Sequence, residues 1–542
     1  MAQHPRMTIR PSLDELRAMS ARGNLVPVYA ELPTDLDTPV SLFLKLAGDE
    51  PSFLLESVVG GERVARYSFL GIRLKEALVL VGGQLARHTL ADYGLRVTPI
   101  PIPEARLQPH DPSRRGDVLD ALRAELAGYQ FVPLPNLPRF CGGLVGYTGY
   151  DVVRQFERLP DTATDVLDVP DAAYFVADTL VVFDHVKSTL LIIANAHLPG
   201  ASTAPCRDGD GDGESGGAGE EADRDIQAAY EDAVARIKTI RARLEAPLDP
   251  LKPDPAAVCS ATRSNKTQAE YERMVLQAKE HIQAGDIFQG VLSQRLERRT
   301  TAHPFAIYRA LRMLNPSPWM FYLNFGRLIE QPGGLLRIVG ASPEMHARFE
   351  HELVTVRPIA GTRRRGAGEE EDAQLARELL ADPKERAEHV MLVDLGRNDV
   401  GRVARYGTVG VPELMAIENY SHVMHIVSTV QGRIREGLDA FDVLRATFPA
   451  GTLSGAPKVR AMEIIEALEG ERRGPYGGCV GYFSYNGQMD TCITIRTILM
   501  RGDTCAVQAG AGIVADSDPT SEYHETMNKA RALLVAIDEA EG

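Results

Sequence analysis

The stretch "PYGGCVGYFSYN" (475–486) is a short apolar run set between glycines, and it has an echo in "FCGGLVGYTGYD" (140–151). Each reads as a glycine-flanked strand, and glycine inside a strand marks a place where another backbone comes close. One copy lies in each half of the chain, so the pair points to duplicated α/β units. Working outward, both halves mix strands with helices. "ADTLVVFDHVKSTLLIIANA" (177–196) reads as two strands joined by a turn around Asp184–Ser188. "TQAEYERMVLQAKEHIQAG" (267–285) reads as an amphipathic helix. Its apolar positions Tyr271, Met274, Val275, Ala278 and Ile282 keep helical spacing, Thr267 with Glu270 suits a capping box, and Gly285 ends it.

At 542 residues the chain exceeds one ordinary domain, and 44% hydrophobic with 25% charged residues is the composition of a folded soluble protein. A net charge of −15 argues against a general nucleic-acid binder, which needs a basic face, and leaves room for a local basic pocket. The six cysteines are dispersed without a CxxC pair, which suits a reducing compartment and speaks against cysteine-based zinc. No signal-peptide apolar region opens the chain, and no run reaches the roughly 18 apolar residues of a membrane span. The expected location is the cytoplasm. Segment 201–224, "ASTAPCRDGDGDGESGGAGEEADR", is of low complexity. Asp208, Asp210, Asp212 and Gly213 match the first half of an EF-hand loop, but Gly219 stands where the bidentate glutamate belongs, so a solvated flexible insertion is expected.

Two stretches carry paired carboxylates. In "DPKERAEHVM" (382–391), Asp382 suits an N-cap, Pro383 the first helical position, and Glu385 and Glu388 follow one turn apart. In "SDPTSEYHETMNKARALL" (517–534), Asp518-Pro519 again opens a helix, Glu522 and Glu525 follow at the same spacing, and Lys529 extends the stripe. Capping and the helix dipole account for one acidic residue near each start but not for the second. Two Glu-x-x-Glu stripes could instead supply the hard oxygen ligands that Mg²⁺ prefers. Without a cation between them, such like charges repel.

Polar residues in apolar settings surround this pair. "CITIRTILM" (492–500) reads as a strand with Arg496 inside it, where the guanidinium either holds an anionic ligand or closes an internal salt bridge. "VQAGAGIVAD" (507–516) offers Gly510 and Gly512 between a strand and the final helix, with backbone N–H groups suited to a carboxylate. "AGTLSGAPK" (450–458) lacks the spacing of a nucleotide loop, and Thr452 reads as a hydroxyl aimed at a small ligand. His425 stands on an apolar run, where a lone histidine is more often a satisfied core residue than a catalyst.

Together these stretches resemble the chorismate-utilising enzymes, and among them most closely the large subunits (component I) of anthranilate synthases. The likeness runs from "VPVYAELPTDLDTP" (26–39) to "SEYHETMNKA" (521–530). It is carried by "FLLESVVGGERVARYSFLG", "GDIFQGVLSQR", "NPSPWMFYL", "GASPE", "RPIAGTR", "KERAEHVMLVDLGRND", "AGTLSGAPK", "GPYGGCVGY" and "IRT". The resemblance implies an α+β fold of packed, roughly orthogonal sheets with helices on the outer faces. It implies a tryptophan-binding regulatory region at 20–200, a flexible insertion at 201–230, and a chorismate-binding catalytic domain at 262–540. Carried over residue by residue, Glu388 and Glu525 would bind Mg²⁺, with Glu385 and Glu522 in support. Arg496, Tyr476, Gly361, Thr362 and the Gly510–Gly512 backbone would hold the substrate, with Lys529 adding charge. His425 and Thr452 would line the ring, and Glu344 would be the general acid for the departing hydroxyl.

Two positions bear on the reaction. Relatives that add water have a lysine where this chain has Gln289, and glutamine cannot act as a base at neutral pH. Aminodeoxychorismate synthases typically have a lysine where "PIAGT" has Ala360. The reading that remains is ammonia attack at ring C2, loss of the C4 hydroxyl and elimination of pyruvate to give anthranilate, in tryptophan biosynthesis. The resemblance further implies a separate glutamine amidotransferase subunit as partner, because no glutaminase is evident in the chain. It implies feedback inhibition by L-tryptophan in a pocket of Glu56, Ser57, Asn315, Pro318, Trp319, Met320, Val480 and Tyr482. Trp319, the chain's one tryptophan, stands where relatives commonly have tyrosine.

Overall fold

The structure is a computed structural model that describes residues 7–57, 66–91, 94–103, 116–199, 217–248, 251, 260–420 and 423–541. Two large sheets, antiparallel in every pairing of neighbouring strands, pack face to face, and helices cover both outer faces. The period-two side-chain alternation of a strand explains the layering. Along the strand Trp319–Asn324, Met320 and Tyr322 pack under helices Pro39–Leu46 and Pro304–Leu314, while Phe321 and Leu323 face the other sheet. The strands therefore read as nearly unbroken apolar runs, buried on both sides. None of the described helices is long and apolar enough to cross a membrane.

The two glycine-flanked stretches form neighbouring strands. Strands Gly143–Thr148 and Cys479–Ser484 lie side by side, antiparallel, with Gly146 opposite Gly481. A Cβ at Gly146 would sit 1.9 Å from Ala173 O, and one at Gly481 would sit 2.1 Å from Asp490 O, so each glycine admits the backbone of its other neighbour. The same relation holds throughout. Strands Ser52–Glu56 and Trp319–Asn324 pair at the centre of the other sheet. Outward from these two seams the strands of each half follow in matching order, so the molecule has an internal pseudo-twofold axis.

The helices obey it too. Helix Val118–Ala127 has Asp117 at its N-cap with Asp120 and Arg123 following, and helix Ala440–Thr447 has Asp439, Asp442 and Arg445 at the same spacing. Each arginine reaches across: Arg123 pairs with Asp439 at 2.7 Å and Asp442 at 2.9 Å, and Arg445 pairs with Asp117 at 2.8 Å and Asp120 at 3.1 Å.

Two expectations about the domains are corrected. Residues 20–200 and 262–540 each supply half of both sheets, so they share cores rather than forming consecutive separate units. Residues 217–230, expected in a flexible insertion, begin the helix Gly217–Leu244, which buries Ala233, Ile237 and Ile240 against the sheet. The remainder of that segment, 201–216, lies outside the described residues. The helix Gln268–Gln283 has the expected Thr267–Glu270 capping box, and Thr179–Asp184 pairs with Thr189–His197 as expected.

Candidate active site

In the second half the chain passes between the sheets twice. It leaves one sheet after Ser342 and enters the other at Met345, then returns between Ile493 and Thr497. The two crossings run side by side, joined by Ala341 N–H donating to Arg496 O at 3.0 Å and Ile493 N–H donating to Glu344 O at 3.1 Å. A residue at such a crossing projects into the wedge between the sheets. Glu344 and Arg496 occupy these positions, and both line a cavity of about 950 Å³.

Arg496 is therefore not inside a strand, as its sequence setting suggested, but at a break with φ +51°. Its guanidinium donates to Lys529 O at 2.6 Å, and no carboxylate of the described residues pairs with it within 4.0 Å. That removes the internal salt bridge as an explanation and leaves donors directed at a ligand. Burial lowers its pKa, opposed by Tyr476 and Glu525. Glu344 is 7% exposed. Burial raises its pKa to about 8, against smaller opposing effects of Thr452, the Ile359 backbone and Lys529. A carboxyl held protonated at neutral pH can donate a proton.

Helices Pro383–Gly401 and Pro519–Glu541 bring Glu385, Glu388, Glu522 and Glu525 to the same cavity. Asp382 caps the first helix, accepting from the N–H groups of Lys384 and Glu385. Glu385 does not close the capping box; its carboxylate pairs with Arg363 at 3.1 Å instead. Burial raises the pKa of Glu388, with repulsion from Glu385 and Glu525 adding to it, and burial also raises that of Glu522. Glu525 rests on Lys529 at 2.6 Å. Among the described residues no three acidic, histidine or cysteine side chains converge on one point. The donor chemistry, hard carboxylate oxygens under mutual repulsion, fits Mg²⁺ shared with a substrate's own oxygens better than a closed protein cage.

Gln289 opens the strand Gln289–Arg299, with its amide nitrogen 3.5 Å from Glu388 and its carbonyl oxygen buried without a partner among the described residues. Gly510 and Gly512 lie within strand Thr504–Ile513, not beyond it as read from the sequence. Side chains there would collide with the Tyr476 hydroxyl (2.7 Å) and the Gln289 amide (2.5 Å), so glycine lets both groups approach the strand. Lys529 Nζ donates to Gly510 O at 2.9 Å. Gly361, φ +65°, forms a bulge that a side chain would strain, and Thr362 follows it. His425 stands behind this wall, 2.9 Å from Gly361 O and 3.1 Å from the Thr362 hydroxyl, and burial lowers its pKa. The Thr452 hydroxyl lies at the cavity wall beside Glu344. Lys384, Gln508 and Asn528 also line the cavity and carried no sequence signal, being ordinary polar residues on a helix or strand.

A second cavity, about 50 Å³, lies at the seam of the two halves. It is lined by Glu56, Ser57, Pro318, Trp319, Met320, Val480 and Tyr482. Asn315, expected with them, instead ends helix Pro304–Leu314 away from the lining. Glu56 is engaged by Arg312 at 3.1 Å and by the Tyr308 hydroxyl. Arg139, Arg348 and Asp490 also line it; a charged residue in the strand 489–493 was the available signal for Asp490. Ser57 Oγ, Tyr482 OH, Asp490 Oδ1 and Arg139 Nε are buried there without hydrogen-bond partners among the described residues.

The chorismate binding enzyme family matches this chain over residues 98–535. The anthranilate synthase component 1 of Acetivibrio thermocellus is 46% identical over 539 residues, covering 98% of this chain and 99% of that protein. That of Pseudomonas aeruginosa is 44% identical, covering 97% and 99%. The crystal structure of anthranilate synthase component I from Streptococcus pneumoniae is similar at 34% identity and TM-score 0.66, covering 92% of this chain and 98% of that one. The menaquinone-specific isochorismate synthase of Escherichia coli, at 17% identity and TM-score 0.65, shares the fold. The chain belongs to the chorismate binding enzyme family, grouping within it with the anthranilate synthase component 1 proteins.

Proposed function

We propose that this chain converts chorismate and ammonia to anthranilate and pyruvate, a lyase reaction at the entry to tryptophan biosynthesis. The observation that carries the reading is the pairing, at adjacent crossings, of an arginine with no carboxylate partner among the described residues and a buried carboxyl of raised pKa. Arg496 and Tyr476 hold the substrate's carboxylate, and Lys529 adds positive charge. Ammonia nitrogen bonds to ring C2 while the C4 hydroxyl departs as water, its oxygen taking the proton from Glu344. The ring then loses its C2 proton and the enolpyruvyl group as pyruvate, and aromatisation drives that step. Gln289 offers no base to activate water, and Ala360 in the cavity wall offers no nucleophile. Mg²⁺ held by Glu388 and Glu525, with Glu385 and Glu522 behind them, would neutralise and orient the substrate's carboxylate.

The ammonia comes from a glutamine amidotransferase subunit in a hetero-oligomer, as the name "component 1" of the relatives suggests. The 50 Å³ seam cavity is the site of L-tryptophan feedback inhibition. Its unpartnered hydroxyl, carboxylate and guanidinium atoms suit the α-amino and α-carboxyl groups of an amino acid. The buried free thiols Cys141, Cys479, Cys492 and Cys505 suit a cytoplasmic location. Incubation with chorismate, Mg²⁺ and ammonium tests the reading. Fluorescent anthranilate with equimolar pyruvate supports it; a stable aminodeoxychorismate, or tryptophan binding without turnover, replaces it.

A further inference from the structure

Behind the cavity, outside its lining, sits Arg473, 2% exposed. Its Nε and one terminal nitrogen grip Glu469 at 2.8 and 2.6 Å. The same terminal nitrogen donates to Val291 O at 2.6 Å, and the other donates to Leu453 O at 2.7 Å. The guanidinium lies between two rings, 4.7 Å from Tyr150 and 5.7 Å from Tyr476. Glu469 also accepts from Ser293 N–H at 2.7 Å and the Ser293 hydroxyl at 2.9 Å. Val291, Leu453 and Tyr476 all line the cavity, on three different segments: the strand that begins at Gln289, the turn that carries Thr452, and the loop before Cys479.

We infer that Arg473 is a positioning residue that sets the mutual placement of Tyr476, Thr452 and Gln289, with Tyr150 of the first half as its backstop. The assignment rests on the proposed roles of those residues toward chorismate. A planar fork can bind two carbonyls and a carboxylate at once while presenting both faces to rings; a lysine ammonium at the same place cannot. The first half thereby supports the cavity wall from behind, without lining it. Tyr150 N–H donates to Gly474 O at 2.7 Å and Gly474 N–H donates to Asp151 at 2.9 Å, which clamps the loop that bears Arg473 and Tyr476.

Steady-state kinetics of the full chain with chorismate, Mg²⁺ and ammonium tests this in Arg473→Lys, Tyr150→Leu and Tyr150→Phe. Arg473→Lys is expected to raise KM for chorismate and lower kcat, a combined fall in kcat/KM of roughly 10- to 100-fold for a misplacement of order 1 Å, with KM for ammonium unchanged. Tyr150→Leu is expected to raise KM for chorismate several-fold when assayed well below its thermal midpoint, which the loss of a buried ring lowers. Tyr150→Phe, which keeps the ring and drops a hydroxyl that has no partner among the described residues, is expected to restore the parental values. Should Arg473→Lys not fold, the Tyr150 pair decides alone. Parental KM and kcat in Arg473→Lys and in Tyr150→Leu, or losses that only track unfolding, would overturn the assignment. A parent chain without turnover would instead remove the functional reading, and this assignment with it.

Discussion

Replacing Glu344 by glutamine probes the proton donor through stability as well as turnover. In the folded chain this carboxyl keeps its proton until about pH 8, whereas its ordinary value is 4.5. The contribution of the group to stability is thus intact below 4.5. It declines as pH rises from 4.5 to about 8, because over that range the unfolded chain ionises and the folded chain does not. At about 1.36 kcal/mol per pH unit the full decline is on the order of 5 kcal/mol, of which about 3 kcal/mol falls between pH 6 and pH 9. Glu344→Gln cannot ionise and lacks this slope. Denaturant unfolding of parent and variant at pH 6 and pH 9 should therefore show the variant gaining about 3 kcal/mol relative to the parent. Parental kcat should hold below about pH 8 and fall above it, and the variant should lose roughly 10²- to 10⁴-fold in kcat. Parallel stability profiles would refute the buried protonated carboxyl, and retained turnover would refute its role as the acid.

Glu388→Gln and Glu525→Gln should each lower Mg²⁺-dependent activity by at least about 100-fold, read from anthranilate fluorescence across a Mg²⁺ titration; normal activity in both would end the metal assignment. Ser57→Ala and Ser57→Arg should weaken tryptophan inhibition while leaving uninhibited turnover in place, measured as the inhibitor concentration that halves the rate. Arg445→Met removes a cation from a cluster whose aspartates Asp117, Asp120 and Asp442 are all nearly inaccessible, and should lower unfolding free energy by about 3–5 kcal/mol without changing kcat of the folded enzyme.

Local chemistry was legible in the chain alone. The cap at Thr267, the hairpin around Asp184–Ser188, the Asp-Pro helix starts and the paired glutamates depend on neighbours within a turn or two, so spacing determines them. The glycine echo disclosed the duplication because a backbone that must approach another tolerates no side chain. Its helical counterpart, the repeated Asp-x-x-Asp-x-x-Arg, is not legible from spacing because such a pattern equally suits a solvated helix face; only the meeting of two such helices, over 300 residues apart, makes it an ion cluster.

Tertiary structure decided what spacing could not. Whether Arg496 serves a ligand or an internal salt bridge depends on which carboxylates come within 4.0 Å in space, and among the described residues none does. The Glu344 pKa is raised because the sheets close over a crossing point and leave the carboxyl only 7% exposed. Local sequence sets hydrogen bonds and faces, whereas desolvation and the convergence of distant charges are properties of the packed chain, and those are what assemble the cavity.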